Sequence, residues 1–165
     1  GPVGRRGSHC AAVVSAEVLC PRTRYANAID NDTLERWPHF FTADELYHIV
    51  PRTAFDRGHP VCIWFCDNRE MLEDRVSSIR EVNVFEPHVY RHVIGPTEIL
   101  GQVENIYRAQ TSYIVVRTMQ DGKMCVFSAG RYVDEIVVVD KTALLKKRIV
   151  VTDSARFDTL VVIPI

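Results

Sequence analysis

The sequence predicts an α+β domain on three observations. Helical periodicity is confined to the part before Pro87. After it come long segments rich in β-branched residues, separated by turn signals. One helical segment, with Leu72, Val76 and Ile79 on a single face, stands between two short apolar strands and that run. Helices followed by consecutive antiparallel strands give an α+β order, not an alternating βαβ order.

The elements follow in order. Pro21 suits the first position of a helix, where its missing N–H costs nothing. From Arg22 onward, Tyr25, Ala28 and Ile29 share one helical face. Asp32 and Glu35 have capping-box spacing and restart a short helix. Its bulky face, Trp37, Phe40 and Phe41, is expected to plug one end of a sheet. Leu46 to Val50 reads as a short strand that Pro51 ends or places at an edge. Arg52 to Pro60 reads as a loop, and Val61 to Cys66 as a second apolar strand. Asp67 and Glu70 repeat the capping-box spacing ahead of a helix flanked by Arg75 and Arg80.

The second half is strand after strand. His92 to Leu100 contains Gly95-Pro96, which predicts a bulge or bend. Ile106 to Met119 and Met124 to Val139 are joined by Asp121-Gly122, the dipeptide of a tight hairpin with φ > 0. Gly130 predicts a kink in a strongly curved sheet. Leu144 to Thr152 is the last full strand, and Leu160 to Ile165 adds a terminal extended segment. A sheet of such long strands has to curl around the helices. The pattern therefore describes a cone-shaped domain of the nuclear-transport-factor-2-like (cystatin-like) type, with a curved mixed or antiparallel sheet wrapped around N-terminal helices. Residues 1–20 read as a tail or non-native leader, and 21–165 as a single domain.

Composition narrows the function. The chain has 165 residues, 47% hydrophobic and 25% charged, with 20 Lys+Arg against 21 Asp+Glu. That balance gives no attraction for a polyanion, so nucleic acid is not an expected partner. No apolar run approaches the roughly 20 residues that span a bilayer. Five irregularly spaced cysteines read as reduced thiols of a cytoplasmic protein.

The chemistry-bearing residues form no recognised metal or nucleotide motif. Cys62 and Cys66 lack a second pair of ligands for zinc. His88 and His92 have H-x3-H spacing, but Pro87 and Gly95-Pro96 make a helix there improbable. No Cys/His pairs suited to a Rieske cluster follow the N-terminal tail. No glycine-rich phosphate loop and no nucleophile elbow is present. A cone-shaped domain can be an enzyme that moves protons on small substrates. Asp30, His48, Asp74 and Tyr113 are the candidates for such a stand-alone dehydratase or isomerase. The stretch Met71 to Gly95 is instead dense in Arg, His, Tyr and apolar anchors, the residue types enriched at protein–protein interfaces.

Six segments carry a family resemblance. They are YANAID with WPHFF (Tyr25 to Asp30, Trp37 to Phe41), MLEDRVSSIRE (Met71 to Glu81), YRHVIG (Tyr90 to Gly95), FSAGRYVD (Phe127 to Asp134) and DTLVVIPI (Asp158 to Ile165). Over Tyr25 to Ile165 the chain resembles the small (β) subunits of aromatic-ring-hydroxylating Rieske dioxygenases. Within that family it is most similar to small subunits of terephthalate 1,2-dioxygenase, and next to those of salicylate 5-hydroxylase.

The resemblance implies a structural, non-catalytic subunit with no catalytic, metal or cofactor-binding residue of its own. The Rieske [2Fe–2S] cluster and the mononuclear Fe(II) would reside in a large α subunit, within an α3β3 hexamer supplied with electrons by a reductase. The holoenzyme would act on an aromatic carboxylate, terephthalate first, then salicylate or another benzoate. Trp37, Arg75, Tyr90, Arg91 and His92 are expected at or beside the α-subunit contact.

Overall fold

The computed structural model describes residues 21–59, 61–81, 87–157 and 163–165. The readings of residues 1–20, and of residues 160–162 of the terminal extended segment, fall outside them. Helix α1 covers residues 21–30 and buries Tyr25, Ala28 and Ile29, the face expected of it. It ends in a Schellman motif: Thr33 N–H donates to Ala28 O, Asp32 N–H donates to Ile29 O, and Asp32 has φ +55°. Asp32 therefore stops α1 and does not cap the next helix. That next element, Leu34–Phe40, is a 3-10 helix with Pro38 inside it. Proline lacks the N–H that a continuing α-helix needs. Trp37 plugs the core as expected, whereas Phe41 begins a strand.

The strands are β1 (Phe41–Pro51), β2 (Trp64–Cys66), β3 (His88–Val103), β4 (Ile106–Met119), β5 (Met124–Val139) and β6 (Thr142–Thr152). Helix α2 (Arg52–Asp56) occupies the expected loop, and α3 (Arg69–Glu81) precedes β3. The sheet order is β2-β1-β6-β5-β4-β3. β1 and β6 run parallel, and the other neighbours are antiparallel. This is the mixed, curved α+β sheet that the sequence predicts. Helix α3 buries Leu72, Val76 and Ile79. Its cap is Asn68, whose Oδ1 accepts from Met71 N–H at 2.9 Å; Asp67 instead meets His48.

Strand β3 starts earlier than expected, at His88, and runs through Gly95-Pro96 with a register shift between Ile94 and Thr97. The β4–β5 connection corrects a turn assignment. Gly122 alone has positive φ (+85°), Gly122 N–H donates to Met119 O, and Met119 N–H donates to Lys123 O. That is a three-residue loop with the glycine in the bulge position, not a two-residue turn. The two-residue turn with both φ values positive lies between β5 and β6, at Asp140 (+49°) and Lys141 (+61°).

Candidate functional site: a filled cone and its outer face

The inner face of the sheet is packed with aromatic rings. Tyr113 and Tyr132 stack at 4.6 Å, and Trp37 stacks on Trp64 at 6.1 Å. Tyr25, Phe41 and Tyr47 pack edge-on around them. The hydroxyls of Tyr25 and Tyr47 both donate to the backbone oxygen of Ile165 at 2.8 Å, which ties the last described residues into the core. Deep among the rings, Arg148 forms a two-pronged pair with Asp134, at 2.9 and 2.8 Å. Its guanidinium lies between the rings of Tyr25 (4.4 Å) and Tyr132 (4.0 Å).

The four residues considered for a stand-alone enzyme are not gathered around one cavity. Asp30 Oδ1 lies 2.6 Å from His92 Nδ1, and Asp30 Oδ2 accepts from His92 N–H at 2.9 Å. Tyr113 shares a buried hydrogen bond with Ser128. His48 meets Asp67 at 2.8 Å near the surface. Asp74 lies at another surface depression, beside Arg75 and Phe65. A cavity of about 400 Å³ near the start of β3 is lined by Asp30 and Tyr90 but by none of His48, Asp74 or Tyr113. The Asp30–His92 pair joins α1 to β3, and no sequence spacing signals it.

Cys62 and Cys66 are both free, and burial pushes the Cys66 thiol up to about 11. Among the described residues, no group of three or more His, Cys, Asp or Glu is placed to hold a metal ion. Nor is any described helix long and apolar enough to cross a membrane.

The residues expected at a partner contact divide in two. Trp37 is fully buried, and Tyr90 and His92 are nearly so. Trp37 contributes core packing and presents no surface. Tyr90 stacks on Phe127 at 5.1 Å behind the sheet. Arg75 is half-buried over the Trp64 ring, at 4.8 Å. Arg91 is the surface member: its side chain is 69% exposed, and its guanidinium is 4.0 Å from Asp30.

Arg91 sits in an ordered outer array fixed by strand register. One row is Val89, Thr118 and Met124; the next is Arg91, Val116 and Val126; the third is Val93, Ile114 and Ala129. Val89, Val93, Ile114, Met124 and Val126 are all exposed. Scattered exposed apolar residues are ordinary, whereas a contiguous apolar face marks an interaction site. The adjacency of these residues depends on the register of three strands, so the sequence shows only strands rich in β-branched residues.

Residues 24–159 match the family described as ring hydroxylating beta subunit. The chain belongs to that family. It is 40% identical over 149 residues to the anthranilate 1,2-dioxygenase small subunit of Burkholderia cepacia, covering 90% of this chain and 92% of that protein. It is 38% identical over 141 residues to a terephthalate 1,2-dioxygenase terminal oxygenase component subunit beta 2 from a Comamonas species, covering 86% and 92%. A crystal structure from Novosphingobium aromaticivorans, assigned as the beta subunit of an aromatic-ring-hydroxylating dioxygenase, superimposes with a TM-score of 0.87. Identity there is 34%, over 95% of this chain and 100% of that one. As a ring-hydroxylating beta subunit, the chain is the non-catalytic small subunit of an aromatic-ring dioxygenase.

Proposed function

We propose that this beta subunit is the scaffold of an α3β3 oxygenase that acts on an aromatic carboxylate. The observation that carries the reading is the outer array around Arg91, an apolar face backed by a cone filled with its own side chains. Such a face is stabilised by being covered. Assembly with an α subunit and with further copies of the beta subunit would cover it. Arg91, with its exposed side chain, and the half-buried Arg75 are the candidates for the α-subunit contact. An arginine fork can clamp a partner carboxylate or backbone carbonyl.

The described residues offer no donor set for a Rieske cluster or a mononuclear iron. Both centres are assigned to the α subunit, with electrons arriving through a reductase, in the cytoplasm. The substrate class is supported by relatives named for anthranilate and terephthalate, both benzene carboxylates. Terephthalate is the first substrate to test, with anthranilate and salicylate after it. The test is turnover by the reconstituted complex of α subunit, this chain and reductase. Conversion of these acids supports the reading; conversion confined to neutral hydrocarbons such as naphthalene overturns it.

A further inference from the structure

One cluster of chemistry-bearing side chains has no part in the aromatic core or the outer array. Cys62 and Asp67 flank β2 at its two ends, and His48 of β1 stands opposite Phe65 in the paired register. The His48 imidazole spans the gap. Its Nε2 lies 2.8 Å from Asp67 Oδ1, and its Nδ1 lies 3.6 Å from Cys62 Sγ. Phe65 packs edge-on against the imidazole, with centroids 6.2 Å apart. The carboxylate and the phenyl ring together orient it.

These contacts set the tautomer. An ionised carboxylate only accepts, so Nε2 carries the proton. Nδ1 of the neutral ring is then a bare acceptor, and the Cys62 S–H donates to it. Nucleophile, base and orienting carboxylate stand in triad order. Burial, and next the charge of Asp67, push the Cys62 thiol up, so it rests protonated. Its reaction needs a place for that proton, and Nδ1 is the place. Solvent reaches the cluster: Cys62 is half-buried, and the side chains of His48 and Asp67 are 23% and 54% exposed. Cys62 lines neither the cavity beside Tyr90 nor the depression beside Phe65, so its reagent is one that needs no pocket.

We infer that Cys62 is a base-assisted thiol that is oxidised by hydrogen peroxide to the sulfenic acid. The sulfur attacks one peroxide oxygen; the S–O bond forms and the O–O bond breaks. The thiol proton passes to His48 Nδ1 and from there to the departing hydroxide, which leaves as water. The sulfur loses two electrons and the peroxide gains them. Asp67 stabilises the imidazolium between the two transfers. Hydrogen peroxide is the two-electron reduction product of the dioxygen that a dioxygenase consumes, so the reagent suits the family. The step is a stoichiometric modification, and it does not depend on the assembly or substrate proposed above.

The test exposes the full chain to hydrogen peroxide with dimedone, which traps a sulfenic acid, and reads each cysteine by peptide mass spectrometry. Cys62 should be trapped at least about tenfold faster in the parent than in His48→Gln. Asp67→Asn separates two roles of the carboxylate. Acting through its charge alone, Asp67 opposes the thiolate, and its loss would speed trapping. Acting as the group that orients the base, its loss should slow trapping, by at least about threefold. Cys125, whose sulfur accepts from Arg117 instead, should react equally in all three proteins. Cys66, 2% exposed, should stay unmodified while the fold is intact. Should His48→Gln expose Cys66, Asp67→Asn decides the matter, because its side chain is at the surface. Equal Cys62 rates in the parent and a folded His48→Gln, or faster trapping in Asp67→Asn, would overturn the inference. So would a Cys62 that peroxide leaves unmodified.

Discussion

Gly130 lies flat against the backbone of Val151: a Cβ built on Gly130 would stand 2.0 Å from the Val151 carbonyl oxygen. The glycine is present for close approach of β5 and β6, not for an unusual φ. The obstructing atom is main chain within a paired strand, so it cannot rotate away. Gly130→Ala should destabilise the chain by at least about 3 kcal/mol, at the upper end of overpacking costs. Gly95→Ala meets the Ser112 carbonyl at 3.2 Å and should be far milder. Urea unfolding of both variants checks the contrast, and similar midpoints would contradict it.

The Arg148–Asp134 pair, with Arg22 Nε 3.6 Å from the same carboxylate, gives a second expectation. Asp134→Asn leaves two buried guanidinium groups without that carboxylate, a loss of about 3–5 kcal/mol. Replacing Arg22, Asp134 and Arg148 together by apolar residues of similar volume should cost much less than that single change. The comparison by urea denaturation separates an unpaired charge from lost packing. If the triple variant is the less stable of the two, the account of the pair is wrong.

Much of this fold was legible in the sequence because its signals are local. Enrichment in β-branched residues and the Asp121-Gly122 turn signal marked β4 and β5 at their observed ends, and helical spacing found the buried faces of α1 and α3. Signals that serve two purposes were misread. Asp32 looks like a helix start but closes α1, and Asp67 looks like a cap but meets His48. Asp140-Lys141 adopts a two-residue turn without the usual glycine. The Asp30–His92 pair and the Arg22–Asp134–Arg148 cluster join elements distant in sequence, so spacing could not reveal them. Trp37 is read from the sequence both as a plug at one end of the sheet and as a residue at or beside the α-subunit contact, and its full burial matches the first of these.

Glu45 predicts a pH dependence. It is fully buried, and neither carboxylate oxygen has a hydrogen-bond partner. Burial, and next the charge of Asp67, push its carboxyl from 4.5 up to about 8, against the pull of Arg69. Between those values the folded chain keeps a proton that the unfolded chain releases. Stability from this group therefore falls as pH rises through that window, by up to about 1.4 kcal/mol per pH unit, and levels off above about pH 8. Glu45→Gln should be more stable than the parent at pH 9 and similar to it at pH 4. Chemical denaturation across this range checks it; an unchanged slope in the variant would assign the dependence elsewhere.

Arg91 predicts an assembly defect without a folding defect. Its side chain is mostly exposed, and its contact with Asp30 is at 4.0 Å. Asp30 is buried and already held by His92, so a solvated guanidinium at that distance contributes little to folding, about 0–1 kcal/mol. Removing an arginine clamp from a partner contact costs more, about 2–5 kcal/mol. Arg91→Ala should melt like the parent but bind the α subunit at least tenfold more weakly in a titration calorimeter. Unchanged affinity would remove Arg91 from the contact.

Native mass spectrometry of this chain co-expressed with its α subunit, with iron counted in each separated subunit, tests the central claim most directly. The account predicts an α3β3 mass, all iron and labile sulfide with the α subunit, and none with this chain. A chain that stays monomeric beside its α subunit, or that carries stoichiometric iron itself, would contradict it.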